Sequence, residues 1–149
     1  MDNSEFREKE SPRLRVLVVD DEPLIRWAIA ETLTQAGDVV VEAADGATAL
    51  RVLSEPAAAF NVVLLDLRLP DSQDLTLLSS IRRTSPAAVV VVMTAFASDD
   101  VVSGVTRLGV RQIVGKPFDL RDLAGVVHRA GSSWMPDATG QGPPAGRLR

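Results

Sequence analysis

Residues 62–71 read Val-Val-Leu-Leu-Asp-Leu-Arg-Leu-Pro-Asp. Four apolar residues run without interruption, one aspartate ends them, and a proline closes the loop. An amphipathic strand would alternate apolar and polar side chains; a continuous run suits a strand covered on both faces in a parallel sheet. The same pattern recurs at Leu14–Val19, Val39–Val41, Val89–Met93 and Ile113–Val114. Between these runs the apolar spacing turns helical. Leu24, Ile25, Ala28, Ile29, Leu33 and Ala36 form one stripe ended by Gly37, and a short second stripe follows the turn Asp45–Gly46. A third stripe ends before Pro86, a fourth at Gly109 and a fifth at Gly131. Strands alternating with helices of this length imply βαβ units with right-handed crossovers. The expected fold is α/β, a doubly wound five-stranded parallel sheet.

At 149 residues the chain suffices for one domain, and 46% hydrophobic against 24% charged residues is enough apolar material for its core. There is no cysteine, which excludes disulfides, thiol nucleophiles and cysteine-ligated zinc. A net charge of −4 argues against direct nucleic-acid binding by this domain. Neither a leader peptide nor a membrane span is legible, so no membrane contact is expected and the cytoplasm is the expected compartment. Residues 1–12 read as a disordered arm, 13–130 as the folded unit and 131–149, with Pro136, Gly140, Gly142, Pro143, Pro144 and Gly146, as a disordered tail.

The polar residues of interest sit at the ends of the apolar runs. Asp20 and Asp21 follow the first, Asp66 closes the third, Thr94 closes the fourth and Lys116 follows the fifth. In a parallel sheet all of these fall on the carboxyl edge, where open α/β sheets bind ligands. Carboxylates crowded together raise one another's pKa unless a cation intervenes, and hard oxygen donors suit Mg²⁺. A carboxylate can also attack phosphorus, and a lysine and a hydroxyl nearby can stabilise the transferred group. Each residue alone has a plainer reading: Asp20–Asp21 before Glu22–Pro23 as a helix cap, Asp66 as a loop acid, Thr94 as a strand end, Lys116–Pro117 as a turn. Together they form a complete set for phosphoryl chemistry.

The strings VLVVDDEPLIR, VVLLDLRLPD, VVVMTAF and GKPF, in this order and spacing, resemble response-regulator receiver domains over residues 13–130. The details LIRWAI and MTAFAS resemble receivers of nitrogen-regulation-type activators. The resemblance implies the flavodoxin-like (βα)5 fold with strand order 2-1-3-4-5. It implies Asp66 as phosphoacceptor from a sensor histidine kinase or phosphotransfer protein, with Lys116 and Thr94 as its helpers. Mg²⁺ is then held by Asp21, Asp66 and the backbone carbonyl of Arg68, with Asp20 acting through water. It further implies a cis Lys116–Pro117 bond, and a downstream protein or homodimer contact through the face of the fourth helix, fifth strand and fifth helix. The domain is expected to be a switch rather than a turnover enzyme.

Two positions depart from the family pattern. Ile113 stands where Tyr or Phe is usual, and Gln73–Asp74 stands where Asp-Gly is usual. The competing functions are a binding-only pseudo-receiver and a haloacid-dehalogenase-type phosphatase. The latter carries a second acid two residues after its nucleophile, a position filled here by Arg68. His128 and Arg82–Arg83 are expected on solvated helix surfaces, and Trp27 partly buried.

Overall fold

The computed structural model describes residues 13–72 and 74–133. Five strands, β1 (Arg15–Val19), β2 (Val39–Ala43), β3 (Val62–Asp66), β4 (Val89–Thr94) and β5 (Gln112–Gly115), form one parallel sheet in the order β2-β1-β3-β4-β5. They alternate with α1 (Pro23–Gln35), α2 (Gly46–Leu53), α3 (Thr76–Thr84), α4 (Asp99–Arg107) and α5 (Leu120–Ser133). This is the doubly wound fold and the strand order expected from the sequence.

Every residue of β3 is buried, as an uninterrupted apolar run between two neighbouring strands requires. Alternate residues of the central strands feed two cores. Leu17, Val63, Leu65 and Val92 pack under α2, α3 and α4, against Leu53, Leu78, Ile81 and Val105. Val16, Val18, Leu64, Val91 and Met93 pack under α1 and α5, against Ile29, Leu33, Leu123 and Val127. Truncating one of the fully buried leucines, such as Leu64→Ala, costs about 2–5 kcal/mol in such a core. The edge strands β2 and β5 are only partly buried, which is why their apolar runs are short.

Two of the predicted helix stops have a specific geometry. Gly37 and Gly109 take φ of +101° and +84°, the left-handed region open to glycine. The amides of Asp38 and Val110 then reach back to the carbonyls of Leu33 and Val105, closing both helix ends. Gly131 behaves differently, because α5 continues through it to Ser133. A Cβ there would lie 2.5 Å from the side chain of Leu14, so the residue is small to let the helix lie on β1's entry, not to stop it. The expected tail therefore starts no earlier than residue 134; residues 1–12, Gln73 and 134–149, with Trp134, lie outside the described residues.

Three other expectations change. His128 is not a free surface residue: its Nε2 lies 2.6 Å from Oδ2 of Asp38, a carboxylate only 7% exposed that also accepts the Leu14 amide at 3.3 Å. Arg82 is half-buried and donates to the carbonyls of Leu108 (3.2 Å) and Ala88 (3.0 Å), tying α3 to the end of α4, whereas Arg83 is exposed as expected. Trp27, expected partly buried, is 56% exposed.

Candidate phosphoryl site at the carboxyl edge

The sheet brings the acids together from separate places in the chain. Asp20 leaves β1, Asp66 ends the adjacent β3, and the parallel register puts both on one level. One carboxylate oxygen from each of Asp20, Asp21 and Asp66 lies within 4.8 Å of the others. Asp20 is fully buried, Asp66 is 5% exposed, and Asp21 is open to solvent.

Lys116 reaches this cluster from the turn after β5. Its Nζ lies 3.0 Å from Asp20, 3.1 Å from Glu22 and 3.1 Å from Asp66. The Lys116–Pro117 bond is cis, as the resemblance implied. Three carboxylates around one ammonium hold the lysine charged well above its ordinary range, against the cost of its own burial. Asp66 moves the opposite way to a typical paired acid. Burial pushes its pKa up, the nearby Asp20 charge adds to this, and the Arg68 amide and Lys116 only partly offset it. A single lysine does not neutralise this pocket.

Several backbone contacts set the geometry. The Arg68 amide donates to Asp66 Oδ1 at 3.1 Å, so the loop after β3 folds back over the carboxylate. Asp20 Oδ1 accepts the Glu22 amide at 2.9 Å just before α1, a bond that shapes the turn into the helix; it caps none of the helix's own amides, so the capping reading of Asp20 does not hold. Its other oxygen bonds Lys116 directly. Thr94 is buried beside the site at the end of β4, and its hydroxyl is engaged with the backbone of Phe96, accepting from its amide and donating to its carbonyl, both at 3.2 Å. Asp74, at the departure after Asp66, accepts the Thr76 amide at 3.0 Å, which draws its pKa down. The added charge thus serves the start of α3.

Two contributors were missed in the sequence. Glu22 supplies the third acid on Lys116, and Arg26 donates to the Asp20 carbonyl at 2.8 Å while pairing with Glu42 at 2.9 Å. Their adjacency to the acid pair, one turn apart on α1, was the available signal. Beside the acids a cleft of about 620 Å³ runs between α1 and the turn before α5, with Ile25, Ala28, Pro117, Phe118 and Leu120 along its apolar side. Leu24 on α1 and Phe96 after β4 are exposed, at 75% and 70%.

The donor chemistry fits a hard divalent cation. Oxygen atoms of three acids converge, one of them is solvent-accessible, and the burial cost on Asp66 is one that added positive charge would relieve. An acid cluster beside a fixed lysine, at the carboxyl edge of a five-stranded doubly wound sheet, is the arrangement expected of a receiver-type signalling domain. Comparison with known proteins agrees: the model of the family described as "Response regulator receiver domain" matches residues 16–128, and the chain belongs to that family. It is therefore a domain of two-component, phosphorylation-dependent signalling.

Among curated proteins, the DNA-binding transcriptional regulator NtrC of Escherichia coli K12 is 33% identical over 120 residues, covering 80% of this chain and 25% of that protein. The response regulator protein FleR of Pseudomonas aeruginosa is 32% identical over 131 residues, covering 88% and 27%. The chain thus spans about a quarter of the length of these relatives. Among solved structures, a CheY-like receiver domain protein from Methanospirillum hungatei superposes with a TM-score of 0.76 at 26% identity, covering 81% of this chain and 95% of that one. The non-phosphorylated HemR receiver domain from Leptospira biflexa gives 0.76 at 27% identity, covering 84% and 99%. Among the described residues no helix is long and apolar enough to cross a membrane.

Proposed function

We propose that Asp66 accepts a phosphoryl group from a phosphohistidine of a sensor kinase or phosphotransfer protein, and that the resulting charge changes a protein-binding surface. The observation that carries this reading is the convergence of Asp20, Asp21 and Asp66 at the sheet edge, with Lys116 bonded to Asp20 and Asp66. In the transfer, an Asp66 oxygen forms a bond to phosphorus as the bond to the donor imidazole nitrogen breaks, and the imidazole leaves with the electron pair. Burial of Asp66 removes water from the attacking carboxylate, and Lys116, already 3.1 Å away, meets the phosphoryl oxygens. Asp21, Asp66 and the Arg68 carbonyl would hold Mg²⁺, with Asp20 contributing through water. When bound, Mg²⁺ neutralises acid charge and balances the phosphoryl oxygens.

Thr94 has to exchange partners. Its hydroxyl now serves the Phe96 backbone, and a charge-assisted bond to a phosphoryl oxygen on Asp66 draws it away. The β4–α4 loop loses that tether when the site is charged. The signal then runs toward the face of α4, β5 and α5, the surface we assign to a downstream protein or a second copy. The apolar side of the cleft gives a donor protein a seat next to Asp66.

The test is incubation with Mg²⁺ and acetyl phosphate, followed by intact-protein mass. Wild type gains one phosphoryl group; Asp21→Ala, folded but short of a cation ligand, gains it far more slowly. A wild type that stays unmodified, or is labelled equally well in chelator, overturns the reading in favour of a binding-only module.

A further inference from the structure

The loop between β3 and α3 carries the Arg68 backbone over Asp66, and that loop is fastened at a second point. Leu69 and Ser72 close on each other through paired backbone bonds of 3.0 and 3.2 Å, with Pro70 and Asp71 in the turn between them. Asp71 there extends its carboxylate to α2. One oxygen accepts the Gly46 amide at 2.9 Å, and the other accepts the Ala47 amide at 3.0 Å. These are two of the amides that a helix start leaves without an intrahelical partner. A third, that of Thr48, is taken by α2's own cap, Asp45, at 2.8 Å.

The two acids divide one task unequally. Among the described residues Asp45 bonds only within its own helix start. Asp71 joins α2 to the phosphoacceptor loop, a charge-assisted, two-pronged contact between segments 24 and 25 residues apart. Close packing fixes the joint. A Cβ on Gly46 would stand 2.9 Å from Leu77 and 3.2 Å from the Asp71 carboxylate, so the helix start fits against the loop with no room to slide. Between the two anchors, Asp66 and Asp71, lie only four residues, among them the buried Leu69 and the exposed Pro70.

The geometry points to Asp71 as a positioning residue for the phosphoryl site: its clamp on the start of α2 holds the post-Asp66 loop in the place from which Arg68 serves the cation. The inference rests on the proposed Mg²⁺-dependent function and adds a residue to it that touches neither cation nor phosphate. Residues that orient the ligands of a metal, without binding it, typically change its affinity by ten-fold or more when lost.

The experiment compares wild type, Asp71→Ala, Asp71→Asn and Asp45→Ala at a temperature where all are folded. Mg²⁺ affinity is read from backbone amide shifts, thermal stability is measured alongside, and uptake from acetyl phosphate is timed. Asp71→Ala is expected to weaken Mg²⁺ binding about ten-fold and to move the Arg68 amide even without Mg²⁺. Asp71→Asn, which keeps one strong acceptor, falls between it and wild type. Asp45→Ala loses thermal stability but keeps wild-type Mg²⁺ affinity. The inference fails if Asp71→Ala and Asp71→Asn bind Mg²⁺ as wild type does, or if Asp45→Ala weakens it equally, since the effect is then helix stability alone. A wild type that binds no Mg²⁺ overturns the functional reading and this inference with it.

Discussion

Buried aspartates occur at both ends of this sheet, and the two ends treat them in opposite ways. At the amino end Asp38 is enclosed and matched: one oxygen takes the Leu14 amide, the other takes His128. At the carboxyl end Asp20 and Asp66 are equally enclosed, but they share one lysine with Glu22 and crowd against Asp21. The first arrangement joins β1, the α1–β2 turn and α5. The second leaves negative charge in excess, so Asp66 is held toward its protonated form by burial. A satisfied buried acid is structure; an under-compensated one is a site waiting for positive charge or a new bond.

Substitution separates the two most sharply. Asp66→Asn is expected to abolish uptake from acetyl phosphate, measured by mass, while folding as well as wild type or better. Stoichiometric labelling of the mutant elsewhere would erase the distinction. Asp38→Ala should do the reverse. It strands the buried Leu14 amide and releases His128, at a cost of about 1–3 kcal/mol in urea unfolding, with uptake by the folded protein unchanged.

A pH series refines the contrast. The Asp66 pKa is raised above its ordinary value of 3.8 in the folded protein. Between the unfolded and folded values the native state holds the extra proton, so stability falls as pH rises through that window and the full penalty stands above it. Asp66→Asn is therefore expected to exceed wild type in stability at neutral pH, with the gap narrowing as pH drops into the carboxylate range. A gap that widens on acidification contradicts the assignment. The smallest effect belongs to the output. Ile113 lies half-buried on β5 against the core beneath α4, a shorter side chain than the aromatic residue usual in the family. Ile113→Tyr should enlarge the amide-shift response of α4, β5 and α5 to Mg²⁺ and beryllofluoride by a modest amount. If that face stays still in both proteins, it is not the output.

The carboxyl end was legible in the sequence because its residues are tied to local landmarks. Each of Asp20, Asp66, Thr94 and Lys116 sits where an apolar run stops, and parallel strands align such stops without any knowledge of side-chain contacts. The amino end carries no such landmark. Asp38 reads as a loop acid after Gly37, and its partner His128 lies 90 residues away, visible only once α5 folds over β1. Arg82 was misread for the same reason: a basic residue near a helix end is ordinarily solvated, and only the packing of α4 brings the Leu108 carbonyl to it. Gly131 looked like a stop because glycine commonly is one; the Leu14 side chain gives it another role. Periodicity reveals which way an element faces, not which distant polar group it will meet.

The contact of Gly131 with Leu14 also decides where probes on this domain would report. The described chain enters and leaves side by side, both at the pole away from Asp66. At about 3.3 Å per strand residue, the length of β1 puts Leu14 and Gly131 roughly 15–20 Å from Asp66. A fluorescent pair placed at Arg13 and Ser132, beside the Leu14–Gly131 contact, would stay at a nearly constant separation as the domain switches; one label in the β4–α4 loop and one at Arg13 is the arrangement that would register the change.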